Sequence, residues 1–84
     1  MERTEISKKV VEILATKLLV GVEECIEEAE LAGDLGADSF DLVEVLMQCE
    51  SDFHISIPDE EFDDAFTVGA VIDLIEKKVK KDGK

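Results

Sequence analysis

Asp34-Leu35-Gly36-Ala37-Asp38-Ser39-Phe40-Asp41-Leu42 is the stretch that decides how this chain folds. Gly36 and Ala37 make a small-residue turn. Asp38 then stands where a helix N-cap stands, with Asp41 three residues on, a variant of the capping box. A helix is therefore predicted to begin at Asp38 or Ser39. Ser39 opens it, ringed by acids. A serine hydroxyl is a poor nucleophile at neutral pH unless an adjacent base takes its proton. The only histidine, His54, falls past the predicted end of the same helix, about 20 Å away at about 1.5 Å per residue. Ser39 thus reads as a modification site served by another catalyst, or as a plain helix cap, and not as a catalytic nucleophile.

Two stripes run along this helix. Leu42, Val45, Leu46, Cys49 and Phe53 share one face and should look into the core. Phe40, Val43 and Met47 share another, flanked by Asp38, Asp41, Glu44 and Glu50. A small domain needs one buried stripe per helix, so the second is expected to be an exposed apolar strip rimmed by acids, a docking surface.

Upstream, Thr4 can cap a first helix whose stripe is Ile6, Val10, Ile13, Leu14 and Leu18, ending near Gly21. Residues 22–37 form a long connection, anchored by Val22, Cys25, Ile26, Leu31 and Leu35. Connections this long in small domains are usually functional or packed by their own side chains. Downstream, Phe53, Ile55 and Ile57 alternate with polar residues, but no second alternating run exists to pair with them. They read as an extended loop dropping three anchors into the core. Asp59 can cap a short helix through about Phe66, with Phe62 and Phe66 one turn apart. Thr67 can cap a last helix with Val68, Ile72, Ile75 and Val79 as its stripe. Lys77, Lys78, Lys80 and Lys81 lie at its C-terminal end, where the dipole favours cations. The expected fold is all-α: a small bundle of three main helices plus one short helix, with a long loop between helices one and two. It forms a single domain over 1–84 with a frayed tail at 82–84.

The chain has 84 residues and a formal charge of −13. A domain of this size buries about 60–65% of its unfolded surface, enough for one modest core. Residues 23–66 hold 16 of the 22 acids and none of the nine basic residues. Such a field repels nucleic acid and anionic membrane and steers basic protein surfaces. Like charge also disfavours self-association, so a monomer is expected. No apolar run is long enough to span a membrane, and no signal peptide precedes the first helix, which points to the cytoplasm. Cys25 and Cys49 lack CxxC spacing and are expected as buried free thiols.

Other chemistries fit poorly. An EF-hand starting at Asp34 would need a ligand at its third position and Gly at its sixth, where this chain has Gly36 and Ser39. Two distant cysteines and one histidine cannot complete a structural zinc site. No GxxxxGK phosphate loop occurs, and the carboxylates lie on predicted exposed surface, with no cleft to raise the pKa of one for acid–base work. No metal is expected.

DLGADSFD, followed by LVEVLMQCESDFHISIPDEEF, resembles the acyl carrier proteins of type II fatty acid synthesis, with their DLGADSLD motif and an IPDEE turn at matching distance. The resemblance covers nearly the whole chain and includes the helix order. It implies that Ser39 is the attachment point for 4′-phosphopantetheine, taken from coenzyme A by a separate phosphopantetheinyl transferase. The thiol of that arm would carry acyl groups as thioesters, making the protein a carrier and not an enzyme. Ketosynthases, acyltransferases and other partners with basic patches would dock on Asp38, Phe40, Asp41, Val43, Glu44, Met47 and Glu50. Val45, Leu46, Cys49, Phe53, Phe62 and Ala65 fall where the family lines an acyl pocket. Three positions depart from the family pattern. Phe40 replaces Leu or Met, Cys49 replaces Leu, and Phe62 stands where a small residue is common. These departures suit a specialised acyl or polyketide carrier as an alternative to the fatty-acid role. From a different class, the chain could be an unmodified acidic helical module that binds basic partners.

Overall fold

The structure, a computed structural model, describes residues 2–83, with side chains as far as Lys80. Among these the order is α1 (Arg3–Leu18), a 3-10 turn (Val22–Glu24), α2 (Ser39–Phe53), α3 (Asp59–Asp63) and α4 (Val68–Gly83), with no strand. This is the all-α arrangement expected from the sequence. Lys81's side chain lies outside the described residues. So does the frayed tail expected at 82–84, apart from the helical backbone of 82 and 83.

The helix ends show where local pattern was overruled. Glu2, not Thr4, is the N-cap of α1, and its N–H donates to the Glu5 carboxylate at 3.2 Å. That reciprocal contact satisfies an orphan donor and starts the helix early. The helix closes at Leu18, short of Gly21, because Leu19 turns left-handed (φ 59°) and donates its N–H to the Ala15 carbonyl. At α3, Pro58 takes the capping position expected of Asp59. Its carbonyl accepts from the N–H groups of Glu61 and Phe62 at 3.0 and 3.2 Å. The helix stops at Asp63, not Phe66. Ala65 N–H reaches back only three residues, to the Phe62 carbonyl, a tightened last turn.

Ile6, Val10 and Leu14 of α1 are fully buried and meet α2 and α4, which contribute Val45, Cys49, Val68, Val71, Ile72 and Ile75. No polar or charged side chain is buried among the described residues. Between α2 and α3 the chain runs without a strand. Phe53 and Ile57 enter the core as expected, while Ile55 is only half-buried.

The long 22–37 loop is held mainly by its backbone. Leu31 N–H donates to the Phe66 carbonyl at 2.9 Å, Val68 N–H to Ala29 at 3.0 Å, and Gly69 N–H to Glu27 at 2.9 Å. Thr67 Oγ1 accepts from Ala70 N–H at 3.1 Å, and the Thr67 carbonyl accepts from Val71 N–H. Together these satisfy the first four N–H groups of α4, which a helix leaves without internal partners. Thr67 is thus the cap expected, and the loop supplies the rest. The approach is close: a Cβ on Gly69 would sit 3.2 Å from both the Cβ and the carbonyl oxygen of Glu27. This pinning decides which loop residues turn inward. Cys25, Leu31 and Leu35 are buried as expected, but Val22 and Ile26 are exposed, and the small Ala29 and Ala37 take the inner places. Arg3 adds a side-chain clamp, with Nη1 at 2.6 Å from Asp73 and 3.0 Å from Glu76, and Nη2 at 3.3 Å from Glu27. Hydrogen bonds from Lys80 and Arg3 hold the Glu76 carboxyl below its ordinary range.

Candidate functional site

Ser39 is the first residue of α2 and is exposed. What places it is a short helical turn over residues 31–35 that ends on Gly36 with φ +76°. Gly36 N–H donates to the Ala32 carbonyl at 3.1 Å, and Ala37 N–H to Leu31 at 2.9 Å. The bond from the left-handed glycine to the carbonyl four residues back is the αL stop, and the Ala37 bond to Leu31 draws the chain back over the turn. It reverses the chain just before Asp38, whose carboxylate accepts from Asp41 N–H at 2.9 Å, while Asp41 accepts from Asp38 N–H at 3.3 Å. The small-residue turn and the Asp38–Asp41 capping box read from the sequence are thus both realised. A Cβ on Gly36 would meet nothing within 4 Å, so its requirement is conformational. Gly36→Ala should destabilise the fold by about 1–2 kcal/mol, the cost of a left-handed L-residue. The check is a urea titration. An unchanged midpoint would contradict the left-handed stop.

The N–H groups of Ser39 and Phe40 have no protein partner among the described residues, at the positive end of the α2 dipole. A phosphate ester on Ser39 fits this position, with donors beside it and water around it. Asp38 and Asp41 oppose it electrostatically, and solvent screens them. His54 is exposed at the far end of α2, left-handed at φ 56°. Among the described residues no side chain is hydrogen-bonded to Ser39. Among the described residues no group of three or more His, Cys, Asp or Glu is placed to hold a metal ion.

Phe40, Val43 and Met47 are 69%, 51% and 61% exposed, so the second stripe is an apolar strip in water beside Ser39. The acids named with it differ in their work. Asp38 and Asp41 form the cap. Glu50 is half-buried and accepts the Ile57 N–H at 2.8 Å, which ties the following loop to α2. Glu44 is half-buried on the same helix.

Open space lies on the α3 side. A cleft of about 210 Å³ is lined by Ser39, Leu42, Val43, Leu46, Asp59, Phe62 and Asp63. A larger one of about 430 Å³ opens between the 30–33 turn and residues 62–66, lined by Leu31, Leu42, Phe62, Ala65 and Phe66 among others. Of the six positions that family resemblance assigns to an acyl pocket, Phe62 and Ala65 border the larger cleft, and Leu46 and Phe62 the smaller. Val45, Cys49 and Phe53 are buried and line neither. Leu42, Ala32, Gly33 and Phe66 line this space without having been singled out as pocket residues. The sequence pointed there only through the resemblance, at Leu46, Phe62 and Ala65.

Cys25 and Cys49 are free and buried. Burial, with the charges of Asp52 and Glu50 adding to it, pushes the Cys49 thiol up to about 12. Cys49 should therefore resist Ellman's reagent in the native protein at neutral pH and react only as fast as the fold opens. The sign follows: folding favours the neutral thiol, so this group's contribution is intact at neutral pH and is lost as pH rises through the folded value. Rapid native-state modification would contradict the packing.

Residues 8–75 match the family model described as "Phosphopantetheine attachment site". The chain is 46% identical over 77 residues to the acyl carrier protein of Porphyromonas gingivalis, covering 92% of this chain and 99% of that one. It is 44% identical to that of Thermotoga maritima, covering 92% and 95%. Its fold matches a solved structure of the acyl carrier protein from Enterococcus faecalis with a TM-score of 0.80 and 29% identity, over 93% and 99% of the two chains. Such proteins hold a covalently attached 4′-phosphopantetheine and have no catalytic activity of their own. With a family match across most of its length and the family's fold around an exposed serine, the chain belongs to the acyl carrier protein family.

Proposed function

We propose that Ser39 carries the 4′-phosphopantetheine arm, and that the chain presents acyl thioesters on it to the enzymes of fatty-acid synthesis. The observation supporting this most is that one helix end combines an exposed hydroxyl, an exposed apolar strip and no base. When attached, the arm supplies a thiol on a flexible tether. The chain's own residues do the rest: the left-handed turn at Gly36 and the Asp38–Asp41 cap hold the hydroxyl outward, and the strip and acids orient partners. Removing the serine proton falls to the phosphopantetheinyl transferase, so the protein is a carrier and not an enzyme. Asp38, Phe40, Asp41, Val43, Glu44, Met47 and Glu50 form the docking face for transferase, ketosynthases and acyltransferases, whose basic patches it attracts. Of the pocket positions, Phe62, Ala65 and Leu46 border open space and are the ones proposed to touch an acyl chain first. The span 1–84 works as one domain, monomeric and in the cytoplasm. No helix among the described residues is long and apolar enough to cross a membrane.

A second reading, a specialised acyl or polyketide carrier, is favoured by Phe40. This ring is 69% exposed immediately beside Ser39, where it meets every partner. The two are separated by kinetics. The acyl-loaded protein is offered to a fatty-acid ketosynthase, wild type against Phe40→Leu. Efficient wild-type turnover supports the fatty-acid role. Poor turnover rescued by Phe40→Leu supports the specialised role.

A further inference from the structure

We propose that residues 19–28 form a second docking surface, apart from the α2 strip, and that it receives a basic amphipathic helix of a partner protein. This surface needs no arm on Ser39. Besides the α2 strip and Phe66, the large apolar side chains left more than half exposed are Leu19, Val22 and Ile26, within eight residues of one another. Leu19 sits at φ 59° and ψ 44°, the left-handed cap that glycine or asparagine usually fills, and it is 90% exposed. The leucine neither relaxes the backbone nor adds to the core, so a contact outside the chain is what it can serve. Val22 and Ile26 stand in water because Cys25 and Ala29 take the inner places. Backbone bonds hold the frame that presents them: Glu24 N–H donates to the Gly21 carbonyl at 3.0 Å, Cys25 N–H to Val22 at 3.1 Å and Ala29 N–H to Ile26 at 3.0 Å.

Charge selects the occupant. Glu23, Glu24 and Glu28 are exposed and have no cationic partner among the described residues. No lysine or arginine falls between Lys17 and Lys77. A recess of about 350 Å³ opens here, walled by Ile26, Ala29 and Leu35, with Glu24, Glu28 and Asp34 around it. An apolar floor ringed by carboxylates suits a lysine or arginine whose hydrocarbon stem lies on the floor while its charge meets the acids. An amphipathic helix presents such groups beside leucines at three- and four-residue intervals. A second copy of the chain would bring like charge to the same place.

The test uses isotope-labelled full-length protein carrying Phe40→Ala and Met47→Ala, so that the α2 strip does not compete. It is titrated at low salt with a synthetic helical peptide of leucines on one face and lysines on the other. Amide shifts should concentrate on 19–28 and Leu35 and should saturate. Adding Leu19→Gly, Val22→Gln and Ile26→Gln should weaken binding by about tenfold or more, with the urea midpoint at or above its starting value. A peptide with the same lysines but serine for leucine should bind both proteins equally weakly. Shifts spread evenly over the acids of 23–66 would overturn the proposal, as would an affinity that the three substitutions leave unchanged. A lower urea midpoint from Leu19→Gly alone would make that leucine part of the fold and overturn it too. Shifts at 19–28 that grow with protein concentration in the absence of peptide would assign the surface to a second copy instead. All of these readouts come from unloaded protein, so failure of the carrier reading, seen as no mass gain with a transferase, leaves them standing.

Discussion

Phe40→Ala combined with Met47→Ala should slow transferase loading by roughly 30- to 150-fold, the equivalent of about 2–3 kcal/mol, as expected when two apolar anchors of an interface are truncated. The melting temperature should barely move. Both side chains are mostly in water in the free protein, and alanine is the best helix former, so the folding change stays within about 0.5 kcal/mol. A loss of rate without a loss of stability is what separates a docking strip from core. Rising salt should slow the wild type as well, because screening weakens the pull of the acidic rim on a basic partner. An unchanged loading rate in the double variant would remove the strip from the docking face. A large fall in melting temperature would make it structural.

Ile72→Ala should destabilise the fold by about 2–5 kcal/mol, the range for truncating a buried aliphatic side chain. Ile72 is fully buried on α4, and a domain of 84 residues has only about 4–13 kcal/mol to lose at about 0.05–0.15 kcal/mol per residue. A urea titration would therefore show the midpoint cut by about half, or no folded baseline. The effect should reach the 22–37 loop, because its backbone bonds run to the first residues of α4. Amide exchange at Leu31 should accelerate with the loss of global stability. A variant with wild-type midpoint would contradict the packing of α4 against α1.

What could be read in advance follows the range of the interactions. The four helices, the start of α2, the Asp38–Asp41 cap, the Thr67 cap and the exposed strip all follow from spacing within a few residues. The outward placement of Ser39 belongs with them, because the Gly36 turn and the Asp38–Asp41 cap that set it are local. The features that escaped are non-local or purely backbone. The carbonyls of Glu27 and Ala29 cap α4 from a distant loop, and no side-chain pattern announces a carbonyl. Val22 and Ile26 have the spacing of anchors, yet that pinning leaves them in water. Leu19 turns left-handed where Gly21, two residues later, looked like the natural stop. Arg3 joins α1, the loop and α4 across the whole length of the chain. The cleft is the largest such case. Its walls come from the 30–33 turn, α2 and the α3–α4 junction, which meet only in the folded chain.

The central claim is that the Ser39 hydroxyl receives the prosthetic arm, and intact mass tests it most directly. The wild-type protein, incubated with coenzyme A, magnesium and a transferase shown active on a control carrier, should gain one phosphopantetheine. Ser39→Ala, folded to the same melting temperature, should gain none. No gain by the wild type would leave an acidic helical module in place of a carrier, and a gain that survives in Ser39→Ala would move the attachment to another residue.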